Sequence, residues 1–490
     1  MSTLKKLASQ TAVYGLSQIL GRFVNYLLTP LHTKLLEPVL YGVNNLMYGY
    51  VTFFNVFLTY GMETAFFRFS QKKENAAQVY STALTSLVSS SLVFMALISM
   101  LSQPIAGLIG IPDHPEYVIY FSIIIPLDAI SAVPFAYLRQ QNKALRFALI
   151  KNINIFTNIV LNLYFFLLCP YVESTYRVQL PLYNGTAQVG YIFISNMIAS
   201  IITLPLLGKE ILEIKNASFN KTLWREMLVY GLPLMVVGFA GMINEALDRI
   251  IISKLYPTTE QGLFATGIYG ANYKLSILMS LFIQAFRYAA EPFFFNHAKT
   301  DDKRTIYATV MNYFVLVCLV LFLTVMLYID VFKYFIDPRY WEGLNVVPIL
   351  LLANMFLGIY YNLTIWYKLS DQTSKGAVIS LIGAAITVAG NIALIPVLGY
   401  TGSAWATLFC YMSMVVICYV MGMKYYPIPY NTGKILGYIV FALILFFGSR
   451  FLTLQINNAI IVNSMNALLL FVFCGVAFWI ERVKRQVRVV

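Results

Sequence analysis

Residues 228–255 read LVYGLPLMVVGFAGMINEALDRIIISKL. The stretch is long and apolar enough to cross a bilayer, yet its outer half carries Asn244, Glu245, Asp248 and Arg249. An ionised side chain near the middle of a membrane costs roughly 2.5 to 3.5 kcal/mol even on the lenient insertion scale, so such a helix turns its charges towards a wet cavity or a partner. The rest of the chain is read around that cavity.

Across 490 residues the hydrophobic content is 59% and the charged content only 11%, with a mean hydropathy of +0.71. That composition excludes a soluble globule with an ordinary polar shell. About fourteen windows of roughly 20 apolar residues begin near Thr11, Tyr41, Tyr80, Tyr117, Phe147, Val189, Leu228, Ala265, Ile306, Leu344, Ala377, Gly402, Lys434 and Asn458. The net charge of +13 does not point to nucleic acid, because the basic residues are scattered through short loops. With Lys5 and Lys6 inside, successive inner loops hold groups such as Arg139, Lys143 and Arg146, while the outer side holds only Lys34, Arg177, Lys254, Lys333, Arg339 and Arg450. Both termini are therefore expected in the cytoplasm. The first apolar segment contains Arg22 and Asn25 and lacks the layout of a cleavable signal peptide, so it is expected to stay as a span. The five cysteines fall in or at the edge of spans, and the three histidines are far apart, so neither a disulfide framework nor a metal site is expected, and no cofactor. No phosphate-binding P-loop motif is present.

Two halves echo one another at a near-constant offset. Tyr14-Gly15-Leu16 corresponds to Tyr230-Gly231-Leu232, Lys34-Leu35 and Gly42 to Lys254-Leu255 and Gly262, and Phe67-Arg68 to Phe286-Arg287. Further on, Asn162 and Gly190 correspond to Asn391 and Gly402, with an added outer loop, Glu173 to Gln188, in the first half. A unit of about six spans returns the chain to the same side, so the halves are expected to be parallel repeats with a transport cavity between lobes. The expected fold is an all-α polytopic membrane protein: a lobe over 1–215, a second over 216–430, and two further helices with a basic cytoplasmic tail over 431–490.

Polar residues inside the spans recur at helical spacing. Gly15, Gln18, Arg22, Asn25 and Thr29 share one face of span one; Asn45, Tyr48, Thr52, Asn55 and Thr59 share a face of span two; Lys151, Asn154, Asn158 and Asn162 share a face of span five. Lipid cannot satisfy such faces, so they are buried against protein or water. Gln18, Asn25, Asn45, Asn55, Asn154 and Asn158 are candidates to line the cavity, with packing glue between helices as the bland reading of each. Arg22, Lys151, Arg249 and Lys274 are candidate cargo-binding cations; snorkelling is the competing account of Lys151 and Lys274. Glu245, Asp248 and Asp128 are candidates for gating or ion coupling. Against that role stand an ion pair between Glu245 and Arg249, four residues apart, and a kink near Pro126 for Asp128. A cationic bias suits phosphate, and Tyr and Asn suit sugar hydroxyls.

Tyr230-Gly231-Leu232-Pro233, Leu247-Asp248-Arg249-Ile250-Ile251-Ile252, Asn391-Ile392-Ala393-Leu394-Ile395-Pro396 and Gly399 to Thr407 together resemble polysaccharide-biosynthesis flippases of the Wzx type. These belong to the multidrug/oligosaccharidyl-lipid/polysaccharide (MOP) exporter superfamily. The resemblance implies two six-helix lobes, with helices one, two, seven and eight lining a cavity that alternates between membrane sides. It implies as cargo a polyprenyl-pyrophosphate-linked oligosaccharide for cell-surface polysaccharide, as in O-antigen synthesis, and a place in the bacterial cytoplasmic (inner) membrane. The energy source stays open between the membrane potential, H+ and Na+, each acting through Glu245, Asp248 or Asp128, and contacts with polysaccharide assembly proteins are expected. Two other functions compete: a cation-coupled multidrug exporter of the same superfamily, and a membrane glycan polymerase or ligase. The enzyme reading is disfavoured because the outer acids Asp113, Glu116 and Glu173 form no dyad on a large outer domain.

Overall fold

The computed structural model describes residues 15, 19–72, 76–185, 188–216, 218–297, 303–370, 372–453, 456 and 458–487; Lys5, Lys6 and Gln18 lie outside them. The protein is an all-α polytopic membrane protein. Its first helices are α1 (19–27), α2 (Thr29–Leu35), α3 (Pro38–Thr59), α4 (Met62–Lys72), α5 (Ala76–Met100), α6 (Ser102–Ile109), α7 (Pro115–Gln140) and α8 (Ala144–Leu163). A π-helical turn, Tyr164–Leu168, leads into α9 (Cys169–Tyr176), then α10 (Gly190–Leu206), α11 (Gly208–Leu212), α12 (Lys221–Leu255), α13 (Thr259–Leu275) and α14 (Ile277–His297). The remainder comprises α15 (Lys303–Leu327), α16 (Ile329–Phe332), α17 (Val346–Leu363), α18 (Ile365–Leu369), α19 (Thr373–Leu398), α20 (Tyr400–Tyr425), α21 (Thr432–Thr453) and α22 (Ala459–Val487).

Ten helices among the described residues are long and apolar enough to cross a membrane, and the pair Gly190–Leu206 and Gly208–Lys215, bent by 56°, brings the number to as many as eleven. Each falls on an expected window. The windows from Thr11, Tyr41 and Ala265 are the ones left over, each for a visible reason. The first lies largely outside the described residues. The second is α3, helical for 22 residues, whose Asn44, Asn45, Thr52, Asn55 and Thr59 lower its hydropathy. The third is broken at Ser276 into α13 and α14.

The chain groups into two compact units, residues 1–270 with 391–400, and residues 271–390 with 401–490. In the first unit α5 lies on α7, α10 packs on both α7 and α8, and α3 runs along α12. Lipid supplies no hydrophobic drive for helix association, so close packing has to hold these pairs together. Glycine permits it at both ends of α3. A Cβ on Gly42 would stand 1.9 Å from the Leu263 carbonyl oxygen, and one on Gly267 would stand 1.9 Å from that of Pro38, so α3 and α13 touch backbone to backbone. Gly61, at φ +71°, leaves room for Gly231 in the same way, with 2.5 Å between its would-be Cβ and the Gly231 oxygen. Around that contact Met62, Phe66, Tyr80, Leu84, Val133 and Met227 form one buried cluster joining α4, α5, α7 and α12.

In the second unit α15 packs against α17, α21 and α22. Asn466 fastens the last two helices: its amide donates to the Leu327 carbonyl at 2.6 Å and its oxygen accepts from Ser449 at 2.7 Å. Lys434 and Glu481 pair at 2.5 Å near the end of α22. Trp366 is fully buried, its indole N–H directed at Cys418 Sγ 3.3 Å away.

Candidate functional site

Four helices of the first unit line an open polar cavity of about 410 Å³. Helix α3 contributes Asn55 and Thr59, α7 contributes Asp128, Ser131 and Phe135, α8 contributes Lys151 and Asn154, and α10 contributes Asn196, Ser200 and Thr203. Helical periodicity brings these side chains together: Asp128, Ser131 and Phe135 share a face of α7, as do Asn196, Ser200 and Thr203 on α10. Pro126 and Pro134 lie inside α7 and each removes one backbone hydrogen bond beside the cavity. Asp128 is exposed although both of its chain neighbours are buried. What it is exposed to is the cavity.

Some of the lining is already spent within the protein. Asn154 donates to Thr203 Oγ1 at 2.9 Å, Asn196 donates to the Tyr48 hydroxyl at 2.9 Å, and Ser131 and Thr59 turn back onto the carbonyls of Leu127 and Asn55. The charged groups are less committed. Asp128 Oδ1 accepts from Ser200 at 3.1 Å. The Lys151 ammonium lies 4.1 Å from the centre of the Phe135 ring, and among the described residues it has no carboxylate within ion-pair distance.

Further along α7 and α8, towards the expected cytoplasmic side, two ion pairs follow. Arg139 of α7 donates to Glu63 of α4, with its guanidinium 5.2 Å from the ring centre of Phe67. Arg146 of α8 clasps Glu210 of α11. In the linear sequence Arg139 and Arg146 read only as loop charges. Ser131, Asn196, Ser200 and Thr203 do not stand out there either, although the spacing of the last three marks a polar face on α10.

The other candidates are distributed differently. Asn25 accepts from Asn158 at 3.4 Å, and the next residue in that stripe, Asn162, accepts from His32 Nε2 at 2.8 Å. Beyond Asn154, then, the Asn row of α8 joins helices. Asn45 is buried, its amide donating to the Tyr41 carbonyl, and it packs against Gly270. Arg22 is exposed on α1, beside Gly21, which meets Ile155 of α8. Asp248 is 5% exposed and accepts from the buried Tyr269 hydroxyl at 2.8 Å, tying α12 to α13. Glu245 is exposed, and Arg249 and Lys274 are half-buried.

The sequence matches the family model described as Polysaccharide biosynthesis protein over residues 7–297. No curated protein shows a significant sequence match. In fold the chain is similar to the lipid II flippase MurJ in an inward closed conformation, at 17% identity and TM-score 0.65, with 97% of this chain and 99% of that one covered. It is also similar to a MATE-family multidrug resistance transporter of the MOP superfamily. The inward-facing conformation aligns at 13% identity and TM-score 0.65, covering 84% of this chain and 94% of that one. An outward-facing conformation aligns at 14% identity and TM-score 0.58, covering 86% and 98%.

Proposed function

Because the chain belongs to the polysaccharide biosynthesis protein family and has the fold of MOP-superfamily transporters, we propose that it is a flippase for a lipid-linked oligosaccharide. The cargo is a polyprenyl-pyrophosphate glycan, moved across the bacterial cytoplasmic membrane by alternating access for cell-surface polysaccharide synthesis. The observation that carries this reading is a cavity lined by hydroxyls, amides, one lysine and one aspartate inside an apolar helical unit, in a chain of that family. Among the described residues of this lining, Val56 and Phe135 are the apolar or aromatic ones, and nine carry polar or charged groups.

In this account residues 1–215 and 216–430 act as two lobes, with 431–490 adding two helices, and both termini lie in the cytoplasm. Arg22, Arg249 and Lys274 attract the pyrophosphate, since guanidinium forks and ammonium groups are its natural partners. Glu245 and Asp248 bias the choice between access states, and the energy comes from H+ or Na+. The protein makes and breaks no covalent bond. The likeness to MATE transporters supports a second reading, a cation-coupled drug exporter. Deleting the gene separates the two. The flippase account expects loss of surface polysaccharide with intact drug resistance; normal polysaccharide with drug hypersensitivity would replace it with the exporter.

A further inference from the structure

The cavity of the first unit holds more hydrogen-bonding capacity than its walls consume. Lys151 carries three N–H donors, and among the described residues its ammonium lies over the face of Phe135 and within electrostatic reach of Asp128, without a hydrogen bond to it. Asp128, which has room for about four acceptor contacts, takes one, from Ser200. Such groups cost free energy inside a bundle unless water or a ligand completes them, and a ligand that replaces the water must offer both donors and acceptors.

The chemistry of what completes them is constrained from three directions. A pyrophosphate would meet Lys151 favourably but would place its charge against Asp128. A metal cation would suit Asp128 but would be repelled by Lys151. An apolar molecule would leave both groups unsatisfied. A neutral polyhydroxyl compound fits both charged groups: its O–H groups donate to Asp128, and its oxygens accept from Lys151. At about 410 Å³ the cavity falls at the lower end of ligand-pocket volumes, about 300 to 1,000 Å³, which suits a single sugar ring rather than an entire oligosaccharide.

We propose that this cavity is a subsite for one neutral sugar residue, held by Asp128 and Lys151. Its identification as part of the transported glycan rests on the flippase reading; its sugar-binding chemistry does not. Lys151 then recognises hydroxyls, and contact with the pyrophosphate falls to cations elsewhere.

The test is cysteine protection. In a full-length chain lacking its five native cysteines, Asn154→Cys, or Ser200→Cys as a second position, is labelled with a small methanethiosulfonate reagent in detergent. Labelling is repeated with millimolar neutral hexoses, 6-deoxyhexoses and N-acetylhexosamines. At least one of these sugars should slow labelling by about fivefold, as expected for a ligand at several times its Kd, and Asp128→Asn should remove that protection relative to its own sugar-free rate. The proposal is overturned if no sugar protects either cysteine, if Na+ or acidification alone protects them, or if neither position labels at all. Sugar protection in a protein whose deletion leaves surface polysaccharide normal would keep the subsite and discard the flippase reading.

Discussion

Arg146 of α8 holds Glu210 of α11 through two hydrogen bonds, Nε to Oε1 at 2.7 Å and Nη2 to Oε2 at 2.9 Å, with the glutamate side chain 5% exposed and the arginine 34%. The backbone carbonyl of the same glutamate accepts from Tyr80 at 2.6 Å. Removing one partner of a fully buried pair costs about 3 to 5 kcal/mol. Because Arg146 is one-third exposed, Arg146→Ala should cost less, about 2 kcal/mol, with water taking up part of the loss. The midpoint of thermal unfolding in detergent should fall, and Arg146→Lys should restore only part of it, having lost the fork. An unchanged midpoint for the alanine variant would contradict this role.

Gly61 is left-handed at φ +71°, and a Cβ there would lie 2.5 Å from the Gly231 oxygen. Gly61→Ala therefore meets backbone strain and overpacking together, each of order 1 to 3 kcal/mol. Reduced yield of folded protein in the membrane is the expected outcome, read by size-exclusion profile. Gly433→Ala, with nothing within 4 Å of its would-be Cβ, is the matched control and should behave as wild type.

Tyr269 donates to the buried Asp248 carboxylate at 2.8 Å. Hydrogen bonds to charged groups are worth about 1.5 to 3 kcal/mol, so Tyr269→Phe should lower thermal stability by that order and loosen α12 from α13. Export of surface polysaccharide should fall with it. Wild-type stability together with wild-type export in this variant would remove Asp248 from the gating scheme.

How much of this was legible in the sequence follows from the range of each interaction. Hydropathy located the windows because a span is a local property, and it was weakest where α3 carries Asn44, Asn45 and Asn55 for reasons of packing and cavity lining. Helical spacing marked the stripe from Lys151 to Asn162, yet could not say that Asn154 lines a cavity while Asn162 is spent on His32. That distinction depends on which helix lies opposite. For the same reason the pairs Arg139 with Glu63 and Arg146 with Glu210, joined across distant helices, look like ordinary loop charges in the linear chain. The sequence offers Asp128 as a titratable candidate near Pro126, but its neighbours Ser200 and Lys151 emerge only once α7, α8 and α10 are packed.

Arg22 is exposed on α1 and makes no ion pair with the described residues. As a cation for the pyrophosphate it should be indispensable to export: Arg22→Ala should abolish surface polysaccharide while the protein remains in the membrane at normal abundance, with Arg22→Lys partly active. Surface polymer at wild-type levels from the alanine variant would count against the assignment.

The central claim is that the protein carries a lipid-linked glycan across a bilayer, and flipping by the purified protein tests it most directly. Proteoliposomes containing a fluorescent polyprenyl-pyrophosphate oligosaccharide would be exposed to a membrane-impermeant quencher, under an imposed H+ or Na+ gradient. With wild-type protein the inner-leaflet pool should become quenchable over time, with the Arg22→Ala protein much less of it. An inner pool as protected with wild-type protein as in protein-free vesicles, under either gradient, would contradict the account.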